Sequence, residues 1–259
     1  MLDPVFSTFS LANKRALVTG ASRGIGRSLA VGLARFGADV VVAARHEPDL
    51  AHTAGEITSL GRRAVLMPLD VRDTQAIAPA VDAAVEHLGG LDIAVVNAGI
   101  EEVRESLDVD EALWDRILDT NLKGAFFTAQ ACARCMAGTG AGGAIVTTCS
   151  LTSGVGVPTA VPYTASKSGL LGMTRALAVE WAPLHIRVNA IGPGYFRTEL
   201  TEVFYQNADW QEAMRAKIPQ GRFGHVDDLV GAVVFLASDA SRYVTGQLLY
   251  IDGGFMASI

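Results

Sequence analysis

A chain of 259 residues, 50% of them hydrophobic and 19% charged, carries enough apolar material for a large core, which excludes a disordered chain or a charged tail protein. Its net charge of −6, with no cluster of Lys and Arg, argues against a nucleic-acid partner. The opening MLDPVFSTFSLANKR has no basic stretch followed by an apolar one, and the longest apolar runs are strand-sized, so no leader or membrane span is expected and the chain is read as cytoplasmic.

In chain order, apolar runs predict strands at residues 15–19, 39–44, 64–69, 91–96, 143–149, 186–191 and 247–251. Amphipathic stretches predict helices at 24–36, 49–60, 74–88, 110–136, 162–182 and 226–237, each closing near Gly, Pro or a polar turn. Alternation on this beat marks βαβ units. The fold class expected is α/β: a single doubly wound domain over residues 1–259, with a seven-stranded parallel sheet, helices on both faces, and the ligand crevice at the carboxyl ends of the strands. Segment 193–221 breaks the beat; long and rich in aromatics, it predicts a small, partly helical lid. Three cysteines, an odd number, fit a reducing compartment. Cys132 and Cys135 form a CxxC within a helical pattern, without a second pair or a nearby His, so they are read as helix thiols and no metal site is expected.

The first strand runs into Thr19-Gly20-Ala21-Ser22-Arg23-Gly24-Ile25-Gly26 and then a helix. Glycines fall where the turn, a pyrophosphate and a helix N-terminus must approach closely, which makes Gly20, Ser22, Arg23, Gly24, Ile25 and Gly26 candidate dinucleotide contacts. A plain strand-to-helix turn is the alternative use. At the end of the second strand an acidic residue would bind the ribose 2′-hydroxyl of NAD and repel a 2′-phosphate, but this chain has Ala43-Ala44-Arg45. Arg45 and Arg23 offer guanidinium forks to that phosphate, so NADP(H) is the expected cofactor; the alternative for Arg45 is a solvated loop charge. Asp70-Val71 ends the third strand and Asn97-Ala98-Gly99 the fourth, both facing the crevice. Asp70 either receives the adenine amino group or caps the helix starting near Thr74, and Gly99 either lets backbone pass a ribose or simply turns.

After the fifth strand comes Ser150, and Tyr163-Thr164-Ala165-Ser166-Lys167 opens a helix. Residues four apart share a helix face, so the Lys167 ammonium and the charge of an oxidised nicotinamide are expected to pull the Tyr163 phenol below its ordinary pKa of about 10. Proton transfer then becomes feasible near neutrality. Ser150 faces that helix and is placed to hydrogen-bond a substrate oxygen. Asn121 sits mid-helix in DTNLKG, a poor position unless its amide has a task such as holding a water that links Lys167 to solvent. Cys149 precedes the serine, points to the other side of the strand and is read as core packing. Asp252 is read as fixing the turn after the last strand.

With these motifs the chain, from about Leu11 to Gly254, resembles the short-chain dehydrogenase/reductase family: TGASRGIG at 19–26, the Asp70-Val71 pair, NAG at 97–99, Asn121, Ser150, YTASK at 163–167 and NAIGPGYFRT at 189–198. The resemblance implies a Rossmann-fold oxidoreductase in which Asn121, Ser150, Tyr163 and Lys167 form the catalytic tetrad. It implies that Tyr163 and Lys167 also bind cofactor, that Pro193, Gly194 and Thr198 hold the nicotinamide carboxamide, and that the enzyme is a homotetramer packed through the helices at 110–136 and 162–182 and the last strand. The glycine in CSLTSG comes one place later than usual, which leaves Ser153 as the alternative to Ser150.

Within that family the tail from Ile218 is similar to gluconate- or glucose-type sugar dehydrogenases and to 3-oxoacyl carrier-protein reductases. A carrier-protein reductase needs basic residues at the crevice mouth, and neither 137–144 nor 182–184 has one, so a small polyol, sugar acid or other hydroxy/keto compound is expected. Its pocket is drawn from Ser150, Leu151, Thr152, Gly156, Val157, Tyr195, Phe204, Tyr205 and Trp210, the aromatics serving alternatively as lid anchors. Glu101, Glu102 and Arg104 either select polar substrates or form a solvated rim. A rival of another class, a non-catalytic protein that senses NADP(H), has no need for the Ser150, Tyr163 and Lys167 set.

Overall fold

The computed structural model describes residues 7–199, 202 and 204–258. In chain order they form β1 (Arg15–Thr19), α1 (Gly24–Arg35), β2 (Asp39–Ala44), α2 (Ala51–Ser59), β3 (Ala64–Pro68), α3 (Thr74–Leu88), β4 (Ile93–Val96), α4 (Glu111–Leu118), α5 (Gly124–Thr139), β5 (Gly143–Thr148), α6 (Val161–Glu180), β6 (Ile186–Pro193), α7 (Ala208–Lys217), α8 (Val230–Ala237) and β7 (Leu248–Ile251). The strands make one parallel sheet in the order β3-β2-β1-β4-β5-β6-β7. The order reverses between β1 and β4, which opens a crevice beyond their carboxyl ends, as the doubly wound reading requires.

Two cores lie on the two faces. Alternation along β1 sends Ala16 and Val18 to the cluster under α1, α2 and α8, and Leu17 to the cluster under α3, α5 and α6. Fully buried residues such as Leu29, Ile57, Ile77 and Ile145 each contribute roughly 1.5–3 kcal/mol of burial free energy. At the opposite end from the crevice, the Arg15 side chain grips Asp92 with Nε to Oδ2 at 2.7 Å and Nη2 to Oδ1 at 3.0 Å, tying β1 to the start of β4.

Two predicted elements differ instructively. The helix expected over 110–136 is interrupted: α4 ends at Leu118, a π turn spans Asp119–Lys123, and α5 starts at Gly124, whose N–H reaches back five residues to the Asp119 carbonyl. A Cβ on Gly124 would come within 2.5 Å of the Val71 carbonyl, so the helix passes against the end of the third strand, and the wide turn rotates Asn121 inward. The expected lid starts late, because β6 continues to Pro193 alongside β7 and the Gly194 N–H donates to the Ile251 carbonyl at 2.9 Å. Beyond it come a 3-10 turn at Phe204–Gln206 and α7, pinned by Ile218 packing with Leu151 and Phe255. Leu200, Thr201 and Val203 of the predicted lid, and the Phe204 side chain, lie outside what is described.

Candidate active site

The crevice has a volume of about 470 Å³ and its floor is the turn after β1. Gly20, Ser22, Arg23, Gly24, Ile25 and Gly26 all line it, as the sequence reading expects. Gly20 has φ +67°, and a Cβ on Gly26 would collide with the Gly20 carbonyl and lie 2.5 Å from Asn97 Nδ2, so the turn closes only with hydrogen at both places. Asn97, Ala98 and Gly99 also face the crevice. A residue the sequence reading missed, Thr19, holds that segment: its hydroxyl accepts the Asn97 and Ala98 N–H groups at 2.9 and 3.0 Å, while Asn97 Nδ2 donates to its carbonyl at 3.0 Å. A polar residue at the last place of an otherwise apolar strand was the available signal.

At the far end Ala43, Ala44 and Arg45 line the wall with Asp70, Val71 and Arg72. Asp70 does not cap the following helix; Asp73 does, accepting the Gln75 and Ala76 N–H groups at 3.2 Å each. The Asp70 carboxylate instead holds Arg72, with Nη2 to Oδ2 at 2.6 Å, and that contact keeps its pKa below the usual carboxylate range despite some burial. Arg23 pairs with Glu199 at 3.0 Å, both about two-thirds exposed, a contact weak enough for a phosphate to displace. The cradle closed by glycines, the two small alanines and the guanidinium groups of Arg23 and Arg45 fit a dinucleotide with a phosphorylated ribose.

Tyr163, Lys167 and Thr198 line the near end; Pro193 closes β6, and the Gly194 N–H that follows donates to the Ile251 carbonyl of β7. Lys167 is 4% exposed, donates from Nζ to the Thr148 carbonyl at 2.7 Å and lies 5.5 Å from the centre of the Tyr163 ring. Ser150 Oγ accepts the Thr152 N–H at 3.3 Å, and its hydroxyl favours the ionised form of the phenol. Ser153 is engaged elsewhere, donating to the Lys167 carbonyl at 2.9 Å, so the serine beside the tyrosine is Ser150. Asn121, 1% exposed, accepts the Ile100 N–H at 2.8 Å and donates to the Ile100 carbonyl at 2.8 Å and to Ser166 Oγ at 3.1 Å. Its amide thus clamps the β4 exit to α6, and Ser166 completes the link by donating to the Tyr163 carbonyl at 2.7 Å.

The protein's own groups act on the phenol in the opposite sense to the one expected with oxidised nicotinamide bound. The phenol of Tyr163 is pushed above the ordinary tyrosine range, first by burial and then by the negative charge of Glu101, against the pull of Ser150. Lys167 does not offset this, because burial draws its own pKa down and its ammonium is directed to a carbonyl on the strand. Cys149 is buried and its thiol pushed up by burial, consistent with packing, and Cys135 is pushed up to about 11 by burial and Asp82. Asp252 fixes the last turn, accepting the Gly254 and Met256 N–H groups at 2.9 and 2.8 Å.

The described lid aromatics pack on one another. Trp210 stacks on Phe223 with ring centres 6.0 Å apart, and Tyr205, 5% exposed, meets the edges of both. Tyr195 bridges this group to Phe255 at 5.3 Å and to Trp210 at 5.9 Å.

Comparison with known proteins agrees with this geometry. A family model described as enoyl-(acyl carrier protein) reductase matches residues 20–256. The 2-dehydro-3-deoxy-D-gluconate 5-dehydrogenase of Escherichia coli (strain K12) is 41% identical over 98% of this chain and 99% of the relative. A structure from Sinorhizobium meliloti 1021, provisionally described as a short-chain alcohol dehydrogenase, superposes with a TM-score of 0.95 at 62% identity, over 97% of this chain and 100% of that one. The gluconate 5-dehydrogenase from Burkholderia cenocepacia J2315, in complex with NADP and tartrate, superposes with a TM-score of 0.95 at 38% identity, over 98% and 99% of the two chains. A nucleotide-sized cleft that ends at a paired phenol and ammonium, on a fold shared along almost the whole length with these oxidoreductases, leaves one assignment: the chain belongs to the short-chain dehydrogenase/reductase family and is an enzyme that interconverts alcohol and keto groups.

Proposed function

We propose that the protein is an NADP(H)-dependent dehydrogenase/reductase of a sugar acid or related polyol, folded as a single domain over residues 1–259. The observation that carries the reading is the pairing of Tyr163 with Lys167 at the end of the phosphate-cradling crevice, with Ser150 acting on the phenol. Bound nicotinamide supplies or receives the hydride. Tyr163 gives its proton to the substrate oxygen during reduction and takes one back during oxidation. Ser150 hydrogen-bonds the same oxygen as charge builds on it. Lys167 holds the nicotinamide ribose, and Asn121 positions the Ile100 turn and, through Ser166, the tyrosine helix. Pro193, Gly194 and Thr198 hold the nicotinamide carboxamide, a role supported by Thr198 lining the crevice.

The preference for NADP rests on Arg45 and Arg23 beside the small Ala43-Ala44 and on NADP in the Burkholderia cenocepacia relative's structure. The sugar-acid class rests on the substrates named for the relatives. A homotetramer is supported by apolar residues left exposed on the helices and strand expected to pack between subunits: Trp114 on α4, Val161 and Val179 on α6, and Leu249 on β7. Among the described residues no helix is long and apolar enough to cross a membrane, and a cytoplasmic place is supported by three unpaired thiols.

The test is steady-state kinetics with 5-keto-D-gluconate and NADPH, gluconate, glucose and simple polyols with NADP⁺ or NAD⁺, and acetoacetyl thioesters with NADPH. Turnover of the sugar acid with kcat/KM favouring NADP(H) is expected. Preference for the thioester, strict use of NAD⁺, or no turnover at all would each overturn the reading.

A further inference from the structure

Two residues beyond the Gly99 turn the chain places a carboxylate that the mechanism above does not use. A Cβ on Gly99 would stand 3.5 Å from Lys167 Nζ, and Ile100 is clamped at both its N–H and its carbonyl by Asn121. Glu101 therefore leaves a backbone fixed at the reacting end of the crevice. The loop is closed from the other side, where the Arg104 N–H donates to the Thr159 carbonyl at 2.9 Å, just before α6.

Its neighbour Glu102 is fully engaged, binding Arg104 Nη2 at 2.6 Å and also Arg116. Glu101 is not: it is half-buried, and among the described residues its carboxylate accepts no hydrogen bond and forms no ion pair. Burial pushes its pKa up while Lys167 pulls it down, and its charge in turn raises the phenols of Tyr163 and Tyr195. The fixed backbone beside Lys167 thus brings Glu101 to the reacting end of the crevice, and its charge acts on Tyr195, which has edge contacts to Trp210 and Phe255.

An ionised carboxylate is an acceptor only, and a half-buried one without a donor is costly. Hydroxyl groups are the neutral donors that satisfy it, and an aromatic wall beside it suits the C–H faces of a polyol. Another carboxylate at the same spot would add like-charge repulsion in a poorly solvated place. We propose that Glu101 is a specificity-determining residue. Its carboxylate accepts a hydrogen bond from a hydroxyl on the carbon next to the reacting one and repels an acid group there. The enzyme therefore takes polyhydroxylated ketones and alcohols whose carboxylate, if any, lies at the opposite end of the carbon chain.

The inference rests on the oxidoreductase reading, and the test separates the two. NADPH-dependent reduction is measured for 5-keto-D-gluconate and for three ketones that differ only beside the carbonyl: 1-hydroxy-2-butanone, 2-butanone and 2-oxobutanoate. The wild type, Glu101→Gln and Glu101→Leu are compared, with the NADPH Kd of each confirming an intact fold. In the wild type the hydroxy ketone is expected to be best and the keto acid worst. Glu101→Leu is expected to lose about 10- to 100-fold in kcat/KM on the hydroxy ketone and on 5-keto-D-gluconate while 2-butanone changes little. Glu101→Gln, which keeps an acceptor without charge, is expected to lose less on the hydroxy ketone and to gain on 2-oxobutanoate. Unaltered selectivity in Glu101→Leu, or a wild type that favours 2-oxobutanoate, overturns the role of Glu101 and leaves the oxidoreductase reading standing. No turnover of any ketone by the wild type overturns that reading and the inference with it.

Discussion

The two ends of the crevice are built in different ways. The cofactor end is mostly backbone: a glycine turn, strand ends tied by the Thr19 hydroxyl, and small alanines along one wall. At the other end the side chains of Ser150, Tyr163 and Lys167 come together from a strand end and a helix, with the loop that carries Glu101 tied beside them. Backbone geometry admits one kind of ligand, whereas a wall of side chains can be altered residue by residue. A protein arranged in this way keeps its cofactor while its substrate is open to change.

Four perturbations test that contrast. Tyr163→Phe removes the proton path and nothing from the phosphate cradle, so kcat is expected to fall by about 10³-fold while NADPH binding, followed by fluorescence titration, stays within a few-fold. A comparable loss of binding would show that the two ends are not separable. Gly26→Ala strikes the cradle: its methyl meets the Gly20 carbonyl and Asn97, and the Kd for NADPH is expected to weaken about 10- to 100-fold.

Asp92→Asn acts beneath both ends, at the amino side of the sheet. Burial works against ionisation of Asp92, but the Arg15 side-chain and backbone donors and its charge outweigh it, leaving the pKa below the usual carboxylate value. Urea unfolding at pH 7 is expected to show a loss of about 2 kcal/mol, with kcat/KM unchanged. Because the folded pKa is depressed, this stabilisation is complete above the unfolded value and disappears as pH falls through the folded one. The gap between variant and wild type should therefore close below about pH 4; a gap that persists there would assign it to packing. The smallest effect is expected from Arg45→Ala, a loss of about tenfold in kcat/KM with NADP⁺ and almost none with NAD⁺. Equal losses with both cofactors would make Arg45 a structural residue.

How much of this could be read from the amino-acid sequence differs along the crevice. The strand and helix periods, the parallel order and the turn at 19–26 follow from local pattern, because a glycine cradle and a strand that alternates between two cores are written in consecutive residues. Tyr163 and Lys167 were legible for the same reason, being one helical turn apart. The interrupted helix at 119–123 was not, since Gly124 packs against Val71, a neighbour far away in sequence, and that contact widens the turn. Nor was the rise in the tyrosine pKa, because local spacing suggests Lys167 as the nearest charge, whereas folding buries the phenol and sets Glu101 beside it. By itself, then, the sequence determined the sheet, the cofactor cradle and the placing of Tyr163 and Lys167 on one helix. Only the tertiary structure decided which serine acts on the tyrosine, which carboxylate is left without a partner, and which aromatics pack together at the lid. Hydrogen bonds and desolvation depend on distances between segments that chain spacing does not specify.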